Sequence, residues 1–340
     1  MIDDCLKISA YFGERDTVGG TFFADHLLDL FEEHALQTSI LLRGSEGFGA
    51  KQRLQTQRFL SLSEDLPVIG VGVGTRSRVE PVIERLEESF GDGLLTLERA
   101  RMLTGRIDDV ELPAALGEEA KLTIYCGRAE RVAGKPAITA IVDLLQRRGV
   151  AGATVLLGVD GVVHGVRQRA KFFSRNAKVP VMTVAVGTSE TIGAALPELG
   201  SILDRPIFTL ERVSVLKRDG AHLTEIGDHP DVDAARARVW QKVTVYAGEQ
   251  ARCDGHPLYI ELIRRLRGAN AAGATSIRGV WGYHGDHAPH GDRMLSLRRH
   301  VPVVTVLVDR PSEIRRLWPI VDEATAETGL VTSELVYEHS

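Results

Sequence analysis

Hydrophobic and polar positions along the chain fall into blocks that recur. In residues 6–14, LKISAYFGE, apolar and polar positions alternate. That places Ile8, Ala10 and Phe12 on one face of a strand and Lys7, Ser9 and Tyr11 on the other. Nearly the same phrase returns as KLTIYCGR (121–128) and QKVTVYAGE (241–249), so Lys7, Tyr11 and Gly13 recur as Lys121, Tyr125 and Gly127, then as Lys242, Tyr246 and Gly248. Behind each phrase apolar residues take up helical spacing. Phe23, Leu27, Leu30 and Phe31 are matched by Ala137, Ile141, Leu144 and Leu145, and by Leu258, Leu262, Arg265 and Leu266, with Arg265 the one break in the apolar face.

The match runs on to the end of each block. A second strand, SILLRG (39–44), TVLLGV (154–159) or SIRGVW (276–281), ends near Gly44, Gly158 or Gly279. A long polar segment follows, and a third strand begins at a proline: LPVIGVGVG (66–74), VPVMTVAVG (179–187) and VPVVTVLVD (301–309). A second amphipathic helix follows, on Val79, Val82, Ile83 and Leu86 in the first block. It recurs on Ile192, Ala195, Leu196 and Leu199, and on Ile314, Leu317, Trp318 and Val321. The last strands are LLTLERARM (94–102), IFTLERVSV (207–215) and LVTSELVYE (330–338). Each block is therefore βαβ-loop-βαβ, the ferredoxin-like split βαβ pattern. The class is α+β, with three tandem domains at 1–103, 120–217 and 239–338 and two polar, acidic linkers, the second with a helix at its end.

The third strands do not alternate. Each is apolar or small on both faces, the pattern of a strand covered on both sides. Two helices cover only one face of such a sheet, and the nearest cover for the other is the sheet of another block. Three equal blocks in one chain then predict an intramolecular pseudo-trimer whose Ser, Thr and Tyr positions line a shared centre.

Composition is that of an ordinary soluble protein, 44% apolar and 26% charged over 340 residues. No apolar run reaches the ~18 residues of a membrane span. A net charge of −5 argues against a general nucleic-acid coat. Cys5, Cys126 and Cys253 fall one to each block without a close pair. With the acidic opening MIDDCLKIS, they lead us to expect a reducing, cytoplasmic setting and no disulfide framework.

A split βαβ unit with a long loop after its second strand, assembled by threes, resembles the PII signalling fold. The stretch EGFGAKQRLQTQRFLSLSEDLPV (46–68) is similar to the PII-like family called domain of unknown function 190, and by internal homology the resemblance covers about 100 residues of each block. Gly47-Phe48-Gly49 and Gln52 match the Gly-Phe-Gly and Gln that open the PII loop. Gly91-Asp92-Gly93 matches a phosphate-facing turn, but Leu94 stands where PII proteins carry lysine, and neither later block keeps the turn. The resemblance implies a non-enzymatic regulator that binds a small anionic effector, a nucleotide among the options, between adjacent units and signals through its loops. It also implies a membrane transport protein as a possible partner. The missing lysine puts ATP itself in doubt.

On this reading the ligand-binding residues are Gly44, Gly47, Phe48, Gly49, Lys51, Gln52 and Arg53 at the loop root, Gly91, Asp92 and Gly93 at the turn, and Arg99 and Arg101 for charge. Backbone N–H groups of a glycine-rich turn can surround an anion; equally, the glycines need only supply positive φ at a loop root. All three loops, about 46–64, 160–177 and 281–299, are basic and are expected to be mobile, with Arg167 and Lys171 in the second and Arg293 and Arg298 in the third. His284, His287 and His290 in the third loop are a candidate zinc or copper set. No cofactor is indicated. VAGKPAIT (132–139) is no phosphate-binding loop, since Ala129 stands where its first glycine should be; Pro136 more simply opens a helix. No catalytic motif stands out. The rival readings are a ligand-free protein-interaction scaffold and a metal-binding protein of the copper-tolerance type.

Overall fold

The computed structural model describes residues 2–49, 52–56, 65–91, 93–105, 107, 112, 116–163, 165–167, 179–232, 238–284, 290–291 and 301–338. The first unit runs β1 (Ile2–Gly13), α1 (Phe23–Glu33), β2 (Thr38–Arg43), β3 (Glu46–Phe48), β4 (Pro67–Gly74), α2 (Arg76–Ser89) and β5 (Leu94–Thr104). The second runs β6 (Glu119–Gly127), α3 (Ala137–Arg147), β7 (Gly152–Leu157), β8 (Asp160–Val163), β9 (Pro180–Thr188), α4 (Ser189–Ile202), β10 (Ile207–Arg212) and β11 (Ser214–Arg218). The third runs β12 (Val239–Gly248), α5 (Leu258–Gly268), β13 (Gly273–Arg278), β14 (Trp281–His284), β15 (Pro302–Asp309), α6 (Pro311–Ala324) and β16 (Leu330–Glu338).

Within the first unit the antiparallel order is β2-β4-β1-β5, with Gly13 opposite Pro67 and Tyr11 opposite Leu94. The second and third units repeat it as β7-β9-β6-β10 and β13-β15-β12-β16. The helices cover one face. Leu27, Leu30, Phe31, Val79, Val82 and Leu86 are buried against Ile8 and Ala10 in the first unit, and equivalent clusters form in the other two. Each such side chain contributes roughly 1.5–3 kcal/mol when fully buried. Arg265, the break in the third helical face, is held at the helix edge by Glu261 at 2.8 Å and Glu323 at 3.2 Å. Pro136 sits at the N-cap, one position before α3, where its fixed φ leads into the helix.

The other sheet faces meet one another. One buried cluster draws Ile69 and Val71 from the first unit, Met182 and Val184 from the second, and Ile277 and Val304 from the third. This is the cover that the two-sided third strands require. Strand pairing also crosses between units. β5 pairs with β10, β11 with β16, and β16 with β5.

The loop roots depart from the expected pattern. Glu46–Phe48, Asp160–Val163 and Trp281–His284 are strands, not the start of loops. Each folds back over a neighbouring unit: β3 pairs with β13, β8 with β2, and β14 with β7. The two-residue turn between β2 and β3, and its equivalents, carries the chain across a unit boundary before the loop begins. Most of the rest of each loop, 57–64, 168–178 and 292–300, lies outside the described residues, as does the expected helix at 233–237 of the second linker.

Candidate functional site

Where the three sheets meet, the recurrent lysines face glutamates. Lys7, Lys121 and Lys242 project from the first strands, and Glu98, Glu211 and Glu334 from the last strands. All six are nearly solvent-free, at 3–7% exposure. Lys121 touches every glutamate, Glu211 and Glu334 at 2.5 Å and Glu98 at 3.5 Å. Lys242 reaches Glu98 and Glu334 at 2.6 Å, and Lys7 reaches Glu211 at 3.2 Å and Glu98 at 3.4 Å. The six charges balance. That balance is what makes their burial tolerable, since the desolvation cost of each ion is several kcal/mol.

Burial alone would raise the Glu98 pKa, but Lys242, Lys7 and Lys121 together outweigh it and hold the carboxyl well below its ordinary range. Glu211 is lowered against the same burial by Lys121 and Lys7. Burial would likewise lower Lys7 and Lys121, yet the glutamates around them raise both. A carboxylate depressed in the fold contributes stability above its ordinary value of 4.5 that is lost as pH falls through the folded value. A lysine raised in the fold contributes stability below 10.5 that is lost only as pH rises through its raised folded value. Stability measured against pH should therefore show a plateau between these limits and a steep acid limb below 4.5; no decline down to pH 3 would contradict the network.

The loop-root glycines have a packing role. A Cβ on Gly44 would meet Pro67 and Thr275, and one on Gly47 would lie 2.8 Å from the Ala274 carbonyl oxygen. Gly158 and Gly161, and Gly279 and Gly282, meet the neighbouring unit in the same way. Phe48, 3% exposed, inserts into the hydrophobic core of the third unit. Gln52, with φ +53°, donates through Nε2 to the Ala271 carbonyl at 2.6 Å, and its own carbonyl accepts from Arg267 at 2.7 Å. Gly49 stands clear of neighbours, Arg53 is exposed, and Lys51 lies outside the described residues. In the second unit Arg167 ties the loop root to Asp160 at 3.3 Å and to Asp29 of the first unit at 2.8 Å.

Not all the expected ligand residues come together. Gly91 is open, Gly93 packs under the Phe90 ring, and Asp92 lies outside the described residues. Arg99 and Arg101 sit farther along β5, where Arg101 is opposite Asp4 near the start of β1. Leu94 and Arg101 are seven steps apart along the strand, roughly 24 Å at strand rise. The arginines therefore belong to another place from the loop root, which lies at the Gly13 end of the same sheet.

That place is a cavity of about 850 Å³ made by all three units. Arg76, Arg99 and Arg101 come from the first unit, Arg212 from the second, Tyr337 from the third, and His229 from the second linker. Arg101 is paired with Asp4, and Arg76 with Glu80 at 2.9 Å. Arg99 lies over the Tyr337 ring at 5.6 Å, and neither Arg99 nor Arg212 has an acidic partner among the described residues. Arg76, Arg212 and His229 escaped sequence reasoning because nothing in their local pattern separates them from surface charge. Glu98, Glu211 and Glu334 did carry a signal, the same position in each last strand.

The remaining sequence candidates are less constrained. The His284 ring lies 3.6 Å from Asp219, His287 and the side chain of His290 lie outside the described residues, and no metal-binding cluster occurs among those described. The three cysteines are free and buried. Burial, then the Glu211 charge, pushes the Cys5 thiol up to about 12, and burial, then Glu130, does the same for Cys126. Both thiols should resist alkylation at pH 8 until the chain unfolds; labelling of either in the native protein at the rate of a free thiol would contradict this. Among the described residues no helix is long and apolar enough to cross a membrane.

Comparison with known proteins gives a consistent family. The DUF190 family, described only as an uncharacterised ACR, matches residues 5–102, 119–215 and 240–337. A UPF0166 protein of Methanocaldococcus jannaschii is 33% identical over 84 residues, 24% of this chain and 76% of that protein. A UPF0166 protein of Aquifex aeolicus is 27% identical over 90 residues, 26% of this chain and 84% of that protein. The ligand-free regulatory subunit of aspartate kinase from Thermus thermophilus aligns over 60% of this chain and 96% of that chain, at 11% identity and a TM-score of 0.25, a likeness that fixes neither fold nor role. The chain thus belongs to the DUF190 family, whose domain it carries in three tandem copies.

Proposed function

We propose that this protein is a regulator without catalytic chemistry, a covalent ring of three PII-like units with pseudo-threefold symmetry that binds a small anionic effector between them. The cyclic strand pairing of β3, β8 and β14 on neighbouring units and the balanced Lys/Glu centre support the ring. The UPF0166 relatives match over most of their own length with a single unit, so the ring does covalently what separate copies of one unit would do by association. The observation that carries the effector reading is the pair Arg99 and Arg212. Two guanidinium groups from different units, without acidic partners among the described residues, line one cavity. An arginine fork suits a phosphate or carboxylate. An anion held there joins the units, so its binding is readable as a change between them. The basic loops and a partner protein, such as a membrane transporter, would receive that change in a cytoplasmic setting.

Thermal denaturation with pyrophosphate, ATP, ADP and citrate tests this. A ligand at 100 times its Kd should add about 2.7 kcal/mol of stability. Arg212→Ala and Arg99→Ala should each weaken binding about tenfold, the effect of losing one charge-assisted contact, and binding should fall with salt. If a bound anion is indifferent to both substitutions, the site is elsewhere. If no anion shifts the transition, the scaffold reading replaces this one.

A further inference from the structure

The three loop-root strands differ at one position that matters. The residue after each clamp glycine is Phe48 on the third unit, Tyr283 on the second and Val162 on the first. These face equivalent partners, Ala274, Ala153 and Ser39. Phe48 joins the core of the third unit and Tyr283 that of the second, both 3% exposed. Val162 joins no such cluster. In each plugged boundary a donor also reaches the carbonyl just beyond the helix end. Tyr283 Oη donates to Val150 at 2.9 Å, and Gln52 Nε2 donates to Ala271 at 2.6 Å. The equivalent carbonyl in the first unit belongs to Leu36, and a valine has nothing to donate.

The boundary between the first and second units keeps a cavity of about 570 Å³ at this place. The Leu36 side chain packs into the core of the first unit, against Gly72 and Gly74. With Val162 it lines an open cleft whose rim carries Glu32, Arg78 and Arg205 beside Gly105. The volume is in the range of small-molecule sites. Arg78 is engaged with the Ala35 carbonyl at 2.6 Å and Gln37 at 2.8 Å. Arg205 is exposed and has no acidic partner among the described residues.

We infer that this cleft is a second ligand site, and that it takes a planar aromatic molecule bearing an O–H or N–H donor and an acidic group. The ring takes the place that the chain fills with Phe48 and Tyr283 elsewhere. Its donor meets the Leu36 carbonyl, as Tyr283 meets Val150, and its acid meets Arg205. This goes beyond the effector reading and shares no residue with the arginine cavity.

The probe is 4-hydroxyphenylacetate, a tyrosine side chain with a carboxylate, followed by saturation-transfer NMR and titration. Wild type should bind it. Val162→Tyr, which installs the plug of the second unit, should abolish binding while circular dichroism stays native. Arg205→Ala should weaken 4-hydroxyphenylacetate about tenfold but leave p-cresol, which lacks the acid, unchanged. Arg212→Ala should change neither. Failure of wild type to bind at millimolar probe overturns the inference, as does equal binding by folded Val162→Tyr or by Arg205→Ala. Loss of binding in Arg212→Ala would place the probe in the arginine cavity and overturn it as well. If Val162→Tyr does not fold, the Arg205→Ala comparison alone decides.

Discussion

Lys121→Met should lower the free energy of unfolding by about 3–5 kcal/mol, the range for leaving a buried charge without its partner. Lys121 is the one lysine bonded to all three glutamates, and its loss leaves three buried carboxylates to share two ammonium groups. The side chain is 5% exposed, so water cannot make up the difference. Removing a glutamate as well, in Lys121→Met with Glu334→Leu, restores equal numbers and should recover most of the loss. Denaturant midpoints at pH 7 give both values. The gap between wild type and Lys121→Met should narrow below pH 4.5, because protonation relieves the surplus carboxylate and removes the attraction that wild type depends on. A single variant within about 1 kcal/mol of wild type would mean that the network is no more than a solvated surface cluster.

The second large effect is expected at the unit boundary. Gly161 holds φ +152°, and a Cβ there would press into the backbone of Ser39 and Ile40 in the first unit. Neither contact can rotate away, since both are main chain. Strained backbone and overpacking each cost roughly 1–3 kcal/mol, so Gly161→Ala should destabilise by about 2–6 kcal/mol. Gly49→Ala is the control. Nothing lies within 4 Å of its Cβ direction, and the change should stay within about 0.5 kcal/mol. Equal stabilities for the two variants would remove the clamp role, while a large loss at Gly49 alone would return the weight to a loop-centred site.

The repeat and its ferredoxin-like order were legible because period-2 and period-3.6 patterns are local. Lys7, Ser9 and Tyr11 announced a polar face on a strand whose neighbours demanded cover. The glutamates were as regular but were less visible, because TLER and TSEL read as ordinary strand ends until a lysine is known to stand opposite. The glycines were visible, but the neighbour they pack against was not. Sequence offered a phosphate or a turn, whereas the atoms nearest Gly47 belong to Ala274, 227 residues away in the chain.

What sequence by itself determined is therefore the unit: its strands, its helices, its three copies and the face each strand keeps dry. Those follow from side-chain periodicity within some 20 residues. What only the tertiary structure decided is which groups from different units share a place. Lys121 meets Glu334, Arg99 shares a cavity with Arg212, and Val162 leaves open a cleft that Tyr283 closes elsewhere. Such encounters are set by how three sheets pack and cross-pair, a global outcome that no local period encodes.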